Sequence, residues 1–460
     1  MPHVAKTRGR PAPATPPAEP SGEGMEPHGA DHVNLRTAPD AKGIRAGPVP
    51  AVRAGGLRAD RDGDHMYDRP TPERPAGTAA RGVAVAGLGA LLVGLAGCSG
   101  GTTGPGTGCA VAPAEFVNGG LGRSEIPALT NPHVARPNTP SVAFIPEESR
   151  VIGIIFNDQP LAIPHRVLWH HEIVNLSIPG EQLTVTYSPL TGSSLVFDRL
   201  GPHVNTFRVS KYVLGSNLVM EDEGGTLWPQ MAGAASCGPK DGVRLQRVHH
   251  EELSYAGWFA AYPDTWVVSS ATGYDFLYTL YPYGDYEDLD NTSLQYPVQG
   301  VLDTRRPPKE RVLGIPSPGG GLAVPLTLLD AQRPPQSPVA VANVTLDGDA
   351  IAVFWNLFAQ AAIPFRAAVN GQTLTFETIG TERRDLETGS SWDLFGMSYE
   401  GPLEGVQLER VPDAYVAFWF AWAEFNPDTD LWNPPVTTSV AARPAGVPAP
   451  PTVDPSLYTR

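Results

Sequence analysis

Cysteine is almost missing from this chain: three in 460 residues. So few thiols exclude a disulfide scaffold and a four-thiolate zinc site built within one chain. Positive charge is also scarce, with 33 Lys+Arg against 48 Asp+Glu and a formal net charge of −15. The first 97 residues hold 12 of the former and 10 of the latter, and without them the balance is 21 against 38. Such a surface argues against nucleic acid as a partner and against electrostatic adhesion to anionic lipid. Glycine and proline, at 49 each, are plentiful. Much of that excess sits in the first hundred and the last thirty residues, which makes both ends poor candidates for packed structure. Length alone suggests two or three domains.

The stretch from Arg81, RGVAVAGLGALLVGLAGCSGG, is too short for a comfortable membrane span and has the length of a signal-peptide core. Small residues leading into Cys98, followed by a Ser/Gly/Thr tether, look like a bacterial lipobox. In that reading Cys98 is the lipid attachment site and the mature N-terminus, and its acyl chains give stable anchoring. Some eighty residues precede the apolar core, and Met66 lies at a sensible distance from it. Residues 1–65 are therefore expected to be a start-site extension or a disordered arm, residues 66–97 a lipoprotein signal peptide and residues 98–143 a tether and lead-in.

The body reads as one unit written twice. Arg150-Val151-Ile152-Gly153-Ile154 recurs as Arg311-Val312-Leu313-Gly314-Ile315, at an offset of 161. Further on, Trp228 answers to Trp392, and Trp258 to Trp422 at an offset of 164. We expect homologous repeats over 144–270 and 310–432, a Tyr- and acid-rich linker over 271–309, and a Pro-rich tail over 433–460. Alternating bulky and polar residues in RVIGIIF, QLTVTY, SSLVFDR and NTFRVS predict short antiparallel strands. SYAGWFAAY and AYVAFWFAWAEF predict a C-terminal helix in each repeat, with Phe418, Trp422 and Phe425 on one face, and PHRVLWHHEIVN predicts a further helical turn. The class is α+β, predominantly antiparallel β.

Residues 184–199, TVTYSPLTGSSLVFDR, read as a hairpin whose turn has hydroxyls at Ser188 and Thr191 where cysteines would form a C-P-x-C-G thiol pair. Strand alternation predicts Val185 and Tyr187 inward, Thr184 and Thr186 outward, and Leu195 and Phe197 on the same core as Val185. With WHHEIVN, SNLVMED, TLWPQ and the closing P-D-T, this hairpin resembles the family known as domain of unknown function (DUF) 3179 over roughly residues 144–432. The family commonly shows the two cysteines, so the resemblance implies a member without that pair. It implies an exported or lipid-anchored protein and no particular chemistry.

Ser188 lacks the G-x-S-x-G setting of a nucleophile elbow, although His171 and Glu172 are available as base and orienter. Neither His170-His171 nor His249-His250 forms a chelate by itself. Asp285, Glu287, Asp288 and Asp290 lack the spacing of a calcium loop and read as a solvated acidic linker. Cys109 and Cys237 could pair in an oxidising compartment. No metal or cofactor is expected. The leading expectation is a lipid-anchored extracytoplasmic protein, a non-catalytic binding or scaffolding module of the cell envelope whose partner is an envelope protein or a small ligand. The alternative is a metal-handling protein or enzyme with a site between the repeats, drawing on His171, Glu172, Tyr187 and Trp228.

Overall fold

The computed structural model describes residues 109–434 except 121, 123 and 124. Cys98, the signal segment 66–97, residues 1–65 and most of the Pro-rich tail lie outside the described residues. All described residues belong to one compact unit. They are mostly strand, paired mainly antiparallel, with α-helices at α1 (His165–His171), α2 (Tyr255–Ala261), α3 (Leu326–Asp330) and α4 (Trp419–Phe425). Among the described residues no helix is long and apolar enough to cross a membrane.

The strands Arg150–Phe156, Glu181–Ser188, Ser193–Asp198 and Phe207–Leu214 form where the alternation predicts them. Hairpin turns fix their registers. Asn157 and Asp158 both take positive φ between Phe156 and Gln159, and Asp347-Gly348 does the same between Leu346 and Asp349. Such turns have the twist that two antiparallel strands need, and residues without β-branching tolerate it. The AYVAFWFAWAEF expectation needs correction, because Tyr415–Phe418 is a strand and only Trp419–Phe425 is helical. The segment is apolar on every side, so periodicity does not separate a buried strand from a buried helix.

The two halves carry matching arrangements. One sheet runs Glu251–Ser254, Arg150–Phe156, Gln159–Pro164, Trp266–Val268, and the other runs Tyr415–Phe418, Arg311–Ile315, Leu322–Pro325, Asp430–Leu431. In both, the last of these strands joins parallel to its neighbour. Trp258 lies over Gly153 with its indole N–H donating to Thr265 Oγ1 (2.7 Å), and Trp422 lies over Gly314 donating to Thr429 Oγ1 (2.9 Å). Trp228 and Trp392 are both fully buried, donate to Asp222 and Asp385, and meet Phe207 and Phe376 edge-on at 5.6 and 5.7 Å.

The halves also exchange their packing. α4 and its strand share a core with Phe197, Phe207 and Trp228, while Trp258 shares one with Phe354, Phe365 and Trp392. The Phe418 N–H donates to Thr191 O (2.8 Å), and at the matching place the Ser254 N–H donates to Ala359 O (2.7 Å). Arg311 reaches Gly192 O and Arg150 reaches Gln360 O in the same reciprocal way. Each hairpin turn is thus docked on the opposite half, which is the self-complementary contact that a twofold relation produces.

This docking explains the Ser-Pro-Leu-Thr-Gly turn. Gly192 takes φ +57°, and a side chain there would collide with the Phe418 ring. Thr191 is buried in a network in which Asn217 Nδ2 donates to its hydroxyl (2.9 Å) and Ser193 Oγ lies 2.9 Å away. The expected facing of the hairpin is corrected. Thr184 and Thr186 are fully buried, and Leu195 and Phe197 pack on their side of the sheet, opposite to Val185 and Tyr187. The register pairs Thr186 with Leu195 and Thr184 with Phe197, and directly paired residues share a face. The polar threonines are satisfied internally, Thr186 Oγ1 by Leu195 O (2.8 Å) and Thr184 Oγ1 by Asn175 Oδ1 (3.1 Å). Both sides of this sheet are therefore core.

Candidate functional site

α1 ends at His171, and Glu172 caps it in the left-handed region with φ 54°, its N–H donating to Leu168 O. The Tyr187 N–H holds the Glu172 carbonyl (2.9 Å), so the backbone on both sides fixes where this side chain points. Glu172 enters the wall of a cavity of about 540 Å³. α1 also contributes Trp169 and His170, and the hairpin contributes Ser188 and Leu190. The far wall is the strand Phe207–Leu214, from Val209 to Val213. Phe276, Tyr283, Tyr286 and Tyr296 of the Tyr-rich segment close the remaining side.

Hydrogen bonds tie that segment down. Tyr286 OH donates to Leu190 O (3.0 Å) and Tyr296 OH to Gly119 O (2.7 Å). Lys309 lies 3.3 Å from the Tyr286 ring centre and donates to Tyr286 O and Ser293 O. Arg311 pairs with Glu287 (2.9 Å), so one of the linker acids bridges to the second half. Among the described residues no group of three or more His, Cys, Asp or Glu side chains could hold a metal ion.

Glu172 is 6% exposed. Burial pushes its carboxyl up to about 8, and the hydrogen bond from Tyr283 OH, at 3.5 Å, only partly opposes that shift. It is a neutral acid at pH 7. His171 is engaged at both ring nitrogens: Nδ1 donates to Pro127 O (2.7 Å) and Nε2 accepts from Tyr278 OH (2.7 Å). Burial lowers it to about 4, with neighbouring His170 adding to the effect. A ring so occupied has no nitrogen left to take a proton from Ser188.

Of the residues singled out from sequence, the cavity brings together Glu172 and Ser188. His171, Tyr187, Thr191 and Trp228 are not among its walls. Trp228 lies in the mixed core, and Thr191 in the network under the turn. Tyr187 meets the His165 ring at a tilt, 4.1 Å between centres, in a second buried cluster that sequence reasoning missed. There Glu252 accepts from Arg150 Nε (2.7 Å) and from Ser194 Oγ, with His165 Nε2 and Arg311 Nη1 each at 3.9 Å. Burial opposes ionisation of Glu252, but Arg150, His165 and Arg311 outweigh it and draw the carboxyl down to about 2. The repeated Arg150 and Arg311 were a visible signal for this cluster, since equivalent arginines converge on one carboxylate.

The family model described as a protein of unknown function, DUF3179, matches residues 123–429. The chain belongs to this family. No curated protein and no solved structure matches it. The match spans the folded body, including the cavity walls from α1 to Tyr296.

Proposed function

We propose that this DUF3179 member is a lipid-anchored extracytoplasmic protein that binds a small ligand in the α1 cavity and performs no chemistry on it. The cavity carries this reading. Its volume lies in the range of small-molecule sites, its walls combine six Trp, Tyr and Phe rings with aliphatic side chains, and a few polar groups converge in it. A hydrolytic role is disfavoured because the histidine nearest in sequence to Glu172 is committed at both nitrogens. Extracytoplasmic location draws support from the Cys109–Cys237 disulfide, a bond that persists in oxidising compartments. Anchoring rests on the lipobox sequence ending at Cys98. The matching halves are read as the product of one duplication.

The test is ligand-observed NMR of the full chain with a library of small aromatic and hydroxylated fragments. Fragments are expected to bind and to be lost on Val213→Trp, which fills the cavity from a half-buried wall position. Binding that survives this substitution, with the fold intact, would place the ligand elsewhere and refute the reading.

A further inference from the structure

We propose that the cavity takes a small organic cation, an alkylammonium group seated among the rings of Trp169, Phe276 and Tyr283 with its charge against the Glu172 carboxyl. This rests on the ligand-seat reading above.

The other deeply buried acids of the described residues are matched. Glu252 has Arg150, Glu221 has Arg208 (2.7 Å) and Glu310 has Arg306 (2.5 Å). Asp222 and Asp385 accept indole N–H groups, and Asp393 accepts the amides of Phe395 and Met397. Glu172 has no ion pair among the described residues, and its polar side-chain contact is the long one to Tyr283. A carboxyl buried without a cation or an amide cradle is costly unless it stays protonated or a cation arrives. Aromatic faces beside a carboxylate are the arrangement that attracts ammonium groups once water is excluded.

The other charged groups in the walls leave that role open. Glu125 adds a second acid from the lead-in. Lys211 is exposed on the opposite strand, 5.0 Å from the Tyr212 ring; Lys309 is not a wall residue but lies behind Tyr286, held by two carbonyls, with burial lowering it to about 8. Burial lowers His170 and raises Tyr283, so both are neutral near pH 7. Glu172 is then the group whose proton a cation must displace. With its carboxyl near 8, a permanently charged ligand should bind up to about tenfold more tightly for each unit that pH rises toward that value.

Isothermal titration of the full chain with choline, and with its uncharged carbon isostere 3,3-dimethylbutan-1-ol, tests this. Choline is expected to bind at least about tenfold more tightly than the alcohol, with affinity rising from pH 6 to pH 8. Glu172→Gln should remove the pH dependence and the preference for charge. Glu172→Asp should retain the pH dependence. Equal affinity for choline and the alcohol, or a choline affinity independent of pH, overturns the cation assignment while the ligand seat stands. Absence of choline binding in a protein whose cavity still takes fragments sensitive to Val213→Trp also overturns the inference, and it alone.

Discussion

Replacing Gly153 or Gly314 by alanine should be among the most damaging one-methyl changes in the protein. A methyl at Gly153 would lie 2.2 Å from Trp258 Cε3, and one at Gly314 would lie 2.1 Å from Trp422 Cε3. Ordinary contact begins at 3.4 Å, so each indole must recede by about 1 Å within a close-packed core. That movement strains the rotamer, at about 1–3 kcal/mol, and stretches the indole hydrogen bond to Thr265 or Thr429, at about 1 kcal/mol more. We expect a loss of about 2–4 kcal/mol for either substitution, measured as the shift in urea midpoint by tryptophan fluorescence. Gly180→Ala is the control, since its neighbourhood is empty and only its φ of +88° resists a side chain, at about 1 kcal/mol. If either core substitution costs no more than this control, the close approach is not a constraint. If the two differ widely, the equivalence of the halves fails at its tightest contact.

Cys98→Ser should release the protein into soluble fractions with its signal unprocessed, checked by membrane fractionation and intact mass. Wild-type membrane retention would refute the lipobox reading. Ser188→Ala and Thr191→Ala should each cost about 1 kcal/mol or less in urea unfolding and leave fragment binding intact, because Asn217 Nδ2 keeps Gln230 Oε1 (2.8 Å) when the Thr191 hydroxyl is gone. Loss of binding by either folded variant would mean that the turn acts on ligand. Glu172 holds its proton up to about 8 when folded and to about 4.5 when unfolded, so its contribution to stability is full below 4.5 and declines as pH rises through 8. Glu172→Gln should therefore make stability between pH 5 and 8 less dependent on pH, read from urea midpoints, and an unchanged slope would contradict the buried neutral acid.

Much of the strand framework was legible because RVIGIIF and its relatives alternate, and Gly153/Trp258 and Gly314/Trp422 recur at nearly constant spacing in the sequence. What escaped were features set by distant partners. Thr184 and Thr186 look outward-facing by polarity, yet a second buried layer with Asn175 and the backbone satisfies them. The apolar run 414–425 gives no period to separate its strand from its helix. Glu172 was legible as a candidate, but its neutral state depends on burial by distant segments, among them the one that carries Tyr283, 111 residues later, and His171 is occupied by Pro127 and Tyr278 from either side of the sequence. The exchange of cores between the halves follows from tertiary docking of the turns, which local pattern does not encode.

The most direct test of the central claim is a crystal structure of the protein soaked with a fragment that binds in solution. The account predicts density between Trp169 and Tyr283, in contact with Glu172 and enclosed by the Tyr-rich segment. A fragment bound only outside this cavity, or a cavity filled by the protein's own side chains, would contradict it.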